Sequence, residues 1–552
     1  MASTTQHHID HVKEVAIDTA SDLANSKGLV HDAKDATAQE HHLSFFKAIR
    51  LYPKAIGWSV LLSAALIMEG YDLVLMGSFY AVPSFAKKYG HQVVKADGTI
   101  TYQLTAPWQS GLSNGASVGS ILGLFLNGIV SEHFGYRKTM IGALALITVF
   151  IFIPFFAQNV QTLLVGQIFM GIPWGVFQTL TTVYASEVCP TQLRGYLTTY
   201  VNMCWIFGQL CASGVLRALV SRGDQWAYRI PFALQWMWPI PLIIGITFAP
   251  ESPWWLVRKG RYEEARHALN RLTSKSADPE FDEHKTVAMM IHTVETERKV
   301  GTGRTYLDCF RGTDLRRTEI ACAVWSIQTL SGSGFRSYST YFFTQAGLPA
   351  TQAFSFSIGQ YALGILGVIC SWFLMPRMGR RTLFMTGIFL MGLCLLIIGC
   401  LGVAPSSNHG AKWGIASLAL VYVFFYDTTA GPVTYSLVAE IPATSLRTRT
   451  IVLARICYNT FNIASNVITP YMFNPTAWNL KAKSAFVWAG ICAVCLVWIF
   501  FRLPEPQGRT FGELDILFER KVKARDFKKA IIDPFESEPK NETEVVGQHE
   551  KL

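Results

Sequence analysis

Twelve apolar runs divide this chain, and each approaches the length that crosses a bilayer. They fall near 55–82, 107–130, 139–157, 162–186, 197–220 and 231–248 in the first half. In the second half they fall near 320–345, 352–375, 383–403, 414–439, 451–473 and 485–501. About 20 mainly apolar residues span a hydrocarbon core. The expected fold class is therefore an all-α membrane protein with twelve transmembrane helices.

Composition agrees. Half of the residues are hydrophobic and only 16% are charged, where a soluble domain carries about 25%. The net charge of +10 does not indicate nucleic acid, because the Lys and Arg lie mostly in short loops between runs, where they report orientation. Arg137 with Lys138, Arg194, the central polar segment, Arg377 with Arg380 and Arg381, and Arg447 with Arg449 share one side. That side is expected to be cytoplasmic, with both termini on it. Lys87, Lys88 and Lys95 in the first outer loop run against the trend. The 11 Cys are scattered, mostly inside apolar runs, which argues against a disulfide framework. Cys492 and Cys495 form a CxxC inside an apolar run without further ligands nearby, so they read as packing, and no metal is expected. The first 50 residues are polar and lack a signal-peptide core. The Asn541 glycosylation acceptor sits in a tail expected to face the cytoplasm.

The halves repeat each other. Glu187 to Arg194 follows run 4, and Glu440 to Arg447 follows run 10, at the same separation. Glu132, Gly135, Arg137 and Lys138 lie between runs 2 and 3, and Gly379, Arg380 and Arg381 between runs 8 and 9. Pro250-Glu251-Ser252-Pro253 ends the first half and Pro504-Glu505-Pro506 the second. Internal repeats of this kind describe two bundles around a central site. The expected organisation is an N-terminal tail (1–50), a six-helix bundle (51–250), a linker with short helices (251–317), a second bundle (318–503) and a tail (504–552).

Glu69 and Asp72 stand inside run 1, three residues apart and so on one helix face. Carboxylates at membrane depth are expensive and mark a substrate or ion pathway by default; acids that merely bridge helices are the bland alternative. Arg336 in run 7 and Asp427 in run 10 are further intramembrane charges, with Glu69, Asp72 or Asp427 as possible partners of Arg336.

These motifs, taken in order over about residues 50–520, resemble a sugar porter of the major facilitator superfamily. Glu69-Gly70-Tyr71-Asp72, Gly171-Ile172-Pro173-Trp174-Gly175, Tyr184-Ala185-Ser186-Glu187 and Ser339-Thr340-Tyr341-Phe342-Phe343 most resemble fungal α-glucoside (maltose-type) permeases. The resemblance implies two bundles related by a pseudo-twofold axis. It implies sugar binding at Asn202, Gln209, Gln328, Thr329, Tyr435, Asn459 and Asn462, with Asn466 one turn further. Amides suit sugar hydroxyls because each both donates and accepts. It implies ion-pair gating at Glu132, Arg137, Glu187, Arg194, Glu251, Arg380, Glu440 and Arg447. It also implies proton coupling at Asp72, with Glu69 assisting and Arg336 as a conformation-dependent partner.

The departures matter. Gln167 stands where many proton-coupled members place an Arg, and Ser120 where the α-glucoside subgroup places a Glu. Thr329, Gly334 and Ala430 replace larger or amide groups, which suggests a pocket roomy enough for a disaccharide. The leading expectation is a plasma-membrane importer of α-glucosides such as maltose by proton symport, active as a monomer, with protons as coupling ion and no cofactor. A passive sugar uniporter is the alternative, and a non-transporting sensor a third. The short C-terminal tail argues against the sensor. No nucleophile–base set or paired carboxylates for glycoside hydrolysis appear, so no enzyme is expected.

Overall fold

The computed structural model describes residues 32, 36, 43–94, 100–274, 281–301, 305–345, 348–404, 408–443, 446–474, 477–507, 509, 511–528 and 530. Most of the expected tails, the Asn541 acceptor and Lys95 lie outside the described residues.

Among the described residues, nine helices are long and apolar enough to cross a membrane: Pro53–Phe79, Ala106–Phe134, Tyr136–Phe156, Val160–Val188, Trp226–Thr247, Ala350–Met378, Arg380–Leu401, His409–Glu440 and Lys481–Arg502. Three more helical stretches fill the remaining places but are more polar. They are Thr191–Leu219, the interrupted Gly312–Leu330, Ser333–Ser337 and Ser339–Gln345, and Arg447–Phe473. In chain order these give spans 1 to 12, with the polar ones fifth, seventh and eleventh.

Local chemistry sets several ends. The Asn159 side chain accepts from the Thr162 N–H at 2.9 Å and caps span 4, and Asn408 does the same for Ala411 at 3.2 Å on span 10. Span 7 breaks at Gly332, whose φ of +106° suits glycine. Span 10 breaks at Thr429 (φ −127°, ψ −85°).

Span 1 packs on 5, 2 on 4 and 3 on 6; correspondingly 7 packs on 11, 8 on 10 and 9 on 12. The two bundles meet through spans 5 and 8 and through spans 2 and 11. Spans 2 and 4 interlock through glycine: a Cβ added at Gly119 would lie 2.9 Å from the Gly171 Cα, and one at Gly175 would lie 2.7 Å from the Leu124 nitrogen. Without a hydrophobic drive between helices in lipid, such close backbone approach supplies the packing.

One end of the molecule carries the helices Pro253–Arg258, Tyr262–Leu272 and Glu283–Gly301; we call it the linker side. Helix Phe511–Glu519 joins this end, where Asp515 pairs with Arg317 at 2.5 Å. The opposite end carries a short hairpin, His91–Val94 with Ile100–Gln103; we call it the hairpin side. Cys492 and Cys495 are buried free thiols, as packing residues would be.

Candidate functional site

Polar side chains from both bundles converge on a cavity at mid-depth. Glu69, Ser120, Trp174, Gln178, Asn202, Trp205 and Gln209 line it from the first bundle. Gln328, Arg336, Tyr426, Arg455, Tyr458, Asn459 and Asn462 line it from the second. Spans 5, 7 and 11 supply much of this wall, which is why they are the polar ones. Its water-accessible volume is only ≈ 50 Å³, far below the roughly 300 Å³ at which small-molecule pockets begin. A larger cavity of ≈ 500 Å³ lies on the linker side around Arg137, Glu251 and Arg271. It lies outside the seam, so the smaller cavity is the candidate site.

The seam is closed toward the hairpin side. Ser78 meets Thr340 at 3.3 Å, Ser110 donates to the Val467 carbonyl at 3.3 Å, and Asn462 donates to Ser117 at 3.3 Å. Tyr80 stacks over Tyr338 with ring centroids 6.3 Å apart. Toward the linker side, Trp372 donates to Thr199 at 2.7 Å.

A charged relay crosses the seam at the cavity. Arg455 Nε donates to Gln178 Oε1 at 2.9 Å, and Gln178 Nε2 donates to Glu69 Oε1 at 2.5 Å. Arg455 is 2% exposed, and its guanidinium lies 4.5 to 5.2 Å from the rings of Tyr458, Trp325 and Trp205. Aromatic faces and an amide thus replace water around a cation that would otherwise be costly to bury. Sequence reasoning missed Arg455, which stands four residues into run 11, close to Arg447 and Arg449. The intramembrane-charge argument applied to Arg336 would have found it.

Asp72 faces elsewhere. It is buried inside the first bundle, where Gln235 Nε2 donates to its Oδ1 at 2.6 Å. Gln235 lies on span 6 and carried no sequence signal. Glu69, not Asp72, is the acid at the cavity. Arg336 reaches neither acid: its Nη1 lies 4.0 Å from Asp427 Oδ1, and its guanidinium lies 4.3 Å from the Tyr426 ring. Of its three possible partners, Glu69, Asp72 and Asp427, the structure pairs Arg336 with Asp427.

Of the residues expected to bind sugar, Asn202, Gln209, Gln328, Asn459 and Asn462 line the cavity. Thr329 and Tyr435 are buried behind it, Tyr435 packing between Trp205 and Trp325. Asn466 is buried outside the lining set. The expected extra room at Thr329, Gly334 and Ala430 is absent in this conformation. Gly334 is filled by Thr469, with a Cβ there only 3.0 Å from the Thr469 methyl, and Ala430 and Thr329 are 0% exposed.

On the linker side the repeat becomes geometry. Glu251 accepts the N–H groups of Tyr136 (3.0 Å) and Arg137 (3.2 Å). Glu505 accepts those of Arg380 (2.9 Å) and Arg381 (3.0 Å). Gly135 (φ +87°) and Gly379 (φ +82°) make the approach possible. Arg258 pairs with Glu187 at 2.7 Å, and Arg380 with Glu440 at 3.0 Å. Burial pushes the Glu251 carboxyl up, and the N–H bonds from Ser252, Arg137 and Tyr136 partly offset it. Arg137 donates to the Ala249 carbonyl at 3.4 Å. Glu132 has an exposed side chain, its carbonyl taking the Trp255 indole N–H at 3.2 Å. Arg194 and Arg447 stand at the linker-side starts of spans 5 and 11.

Comparison with known proteins agrees with this architecture. Residues 58–518 match the family described as sugar (and other) transporter. The chain belongs to the sugar transporter family. It is 44% identical over 517 residues to the general alpha-glucoside permease of Saccharomyces cerevisiae, covering 93% of this chain and 83% of that one. It is 44% identical over 510 residues to the maltose permease MAL31 of the same yeast, covering 92% and 82%. The solved proton:xylose symporter XylE, bound to 6-bromo-6-deoxy-D-glucose, superposes with a TM-score of 0.69 at 20% identity, over 85% of this chain and 99% of that one. That likeness shows the major facilitator fold. The sugar porter described here is thus a multi-pass membrane transporter and not an enzyme, and it is similar to yeast maltose-type permeases.

Proposed function

We propose that this sugar porter imports α-glucosides such as maltose across the plasma membrane by proton symport, acting as a monomer with no cofactor. Its bundles, 51–250 and 318–503, rock about the seam cavity, with 251–317 linking them. The observation that carries the reading is the relay Glu69–Gln178–Arg455, which joins an acid of one bundle to a cation of the other inside an amide-lined cavity. The names of the 44% identical relatives support the substrate class.

The relay suggests how a proton couples to motion. An ionised Glu69 accepts a charge-assisted bond from Gln178, and such bonds are roughly twice as strong as neutral ones. Proton uptake at Glu69 weakens that bond and, through Gln178, the hold on Arg455. Loss of the proton restores it. Asp72, held by Gln235 one turn away, is the second titrating group. Sugar hydroxyls meet Asn202, Gln209, Gln328, Asn459 and Asn462 once the cavity widens. The linker side is assigned to the cytoplasm by its Arg and Lys residues, and both termini with it. There Glu251, Glu187 and Arg258, and their counterparts Glu505, Glu440 and Arg380, hold each bundle rigid while it moves.

Passive uniport is the second reading. It draws on Gln167 and Ser120, which leave Asp72 without an Arg and position 120 of span 2 without an acid. Uptake of radiolabelled maltose and glucose by transport-null cells, with and without a protonophore, tests both. Maltose accumulation that collapses with protonophore supports symport. Protonophore-insensitive equilibration supports uniport.

A further inference from the structure

We infer that Arg336 and Asp427 form a charged pair that reads sugar hydroxyls, a specificity device beyond the amides, and this rests on the sugar-transport reading above. Three observations carry it. Both residues sit beside helix breaks: Arg336 lies four residues past the left-handed Gly332 of span 7, and Asp427 two residues before the irregular Thr429 of span 10. Interrupted helices near mid-membrane are where transporters place substrate sites.

Second, the pair is under-satisfied. Arg336 Nη1 stands at 4.0 Å from Asp427 Oδ1, beyond hydrogen-bond length. Asn202 Nδ2 reaches the same oxygen at 3.4 Å. Asp427 is 1% exposed, and its Oδ2 has no hydrogen-bond partner among the described residues. Gly364 leaves room for it: a Cβ there would fall 2.6 Å from Oδ2. A buried carboxylate held this loosely is costly unless another partner completes it.

Third, the pair adjoins the cavity. Arg336, Tyr426 and Asn202 all line it, and Asp427 lies directly behind Arg336 and Asn202. Asn202 belongs to the first bundle and the other three to the second. When the bundles part, Asn202 leaves with its own bundle and Asp427 Oδ1 faces the widened site. One sugar hydroxyl can then donate to Asp427 while a neighbouring oxygen accepts from Arg336. A hydroxyl offers both roles, so vicinal hydroxyls match an acid–guanidinium pair. The Tyr426 ring beneath the guanidinium, and the Tyr361 hydroxyl on the Arg336 carbonyl at 3.3 Å, keep Arg336 in place. In this closed conformation Asn202 takes the place on Asp427 that a substrate hydroxyl would occupy.

The test is maltose exchange in proteoliposomes without a proton gradient, so that coupling does not enter the readout. The variants are Asp427→Asn, Arg336→Gln and the neutral double Arg336→Gln/Asp427→Asn. The double removes the risk that a lone buried charge unfolds the chain. Losing a hydrogen bond to a charged group should raise the half-saturation constant by roughly 10- to 150-fold in each single variant, and at least as much in the double. A series of mono-deoxymaltoses should show two adjacent positions whose penalties in the parent shrink, one in Asp427→Asn, the other in Arg336→Gln and both in the double, a signature that a structural role would not give. A double variant that exchanges maltose with the parent's half-saturation constant overturns the assignment alone. Half-saturation constants that rise equally for every deoxymaltose overturn it too. A parent that exchanges neither maltose nor glucose overturns the transport reading itself and this assignment with it.

Discussion

Arg455 Nε and Gln178 Oε1 lie 2.9 Å apart across the seam between the two bundles. The bond joins span 11 to span 4, and Gln178 passes the contact on to Glu69. Removing the cation while keeping some polarity, as in Arg455→Gln, should uncouple the porter. Maltose accumulation should fall toward equilibration while downhill exchange persists. Arg455→Lys keeps charge but not the planar fork that packs among Trp205, Trp325 and Tyr458, so it should recover only part of the accumulation. Accumulation ratios of radiolabelled maltose in intact cells give the comparison, and an unimpaired Arg455→Gln would remove the relay from the mechanism.

The placement of the two acids argues for Glu69 ahead of Asp72, the opposite order from the one the resemblance implies. Glu69 touches the cavity and the relay, while Asp72 is held by Gln235 inside one bundle. Glu69→Gln should therefore abolish accumulation and flatten the pH dependence of uptake. Asp72→Asn should also impair accumulation but leave a residual pH dependence. Sugar-induced proton uptake, followed with a pH electrode in lightly buffered cells, separates them. If Asp72→Asn alone eliminates proton uptake, Asp72 is the primary carrier.

For the amides, the cavity discriminates among residues that the sequence treats alike. Asn202, Gln209 and Gln328 line it, and each Ala substitution should raise the half-saturation constant for maltose exchange by roughly 5- to 150-fold, the equivalent of about 1–3 kcal/mol. Thr329→Ala should change it less than about 3-fold, because Thr329 is buried behind the wall. Equal effects at Thr329 and Gln328 would place the sugar elsewhere.

Much of this was legible in sequence, and the failures have physical causes. Run length and the repeated Glu-to-Arg motifs give the spans and the two bundles, because membrane depth and internal symmetry act on every residue of a run. Glu251 and Glu505 were visible as a repeat, but not their hydrogen bonds to backbone N–H groups, which depend on tertiary approach. The resemblance to sugar porters pointed to five amides that line the cavity. Gly334 misled because a missing side chain in sequence says nothing about who fills the space, and here Thr469 does. Arg455 was hidden by its nearness to Arg447 and Arg449, which made it look like a boundary charge. Gln235 could not be found at all, since a lone Gln inside an apolar run has no pattern.

The glycine interlock of spans 2 and 4 gives a folding prediction. Gly119 and Gly175 face the partner backbone with no room for a methyl group. Gly119→Val or Gly175→Val should reduce surface expression at least several-fold. Gly142→Val, where a Cβ meets nothing within 4 Å, should not. Fluorescence of a tagged chain at the cell surface reads this, and normal surface levels for Gly119→Val would show that the helices can separate without penalty.

Glu251 holds the turn between spans 2 and 3 through the N–H groups of Tyr136 and Arg137. Its role there is to accept hydrogen bonds, and an uncharged oxygen can do that too. Burial already pushes its carboxyl up, so the charged form carries a desolvation cost that the N–H groups only partly offset. With the folded value above the unfolded one, the folded chain binds this proton more tightly. The group's contribution therefore favours folding at low pH, and it is lost as pH rises through the shifted value. Glu251→Gln keeps one acceptor and removes both the charge and its pH dependence. Glu251→Ala strands the N–H groups of Tyr136, Arg137 and Ser252, each costing about 1–3 kcal/mol when buried without a partner. Thermal unfolding of the purified porter should thus show Glu251→Gln close to the parent and flatter with pH. Glu251→Ala should be lower by several degrees. Gln and Ala variants of Glu505 should follow the same order, because Glu505 meets Arg380 and Arg381 in the same geometry. If Glu251→Gln is as damaging as Glu251→Ala, the carboxylate acts through its charge, and the hydrogen-bond account of this turn is wrong.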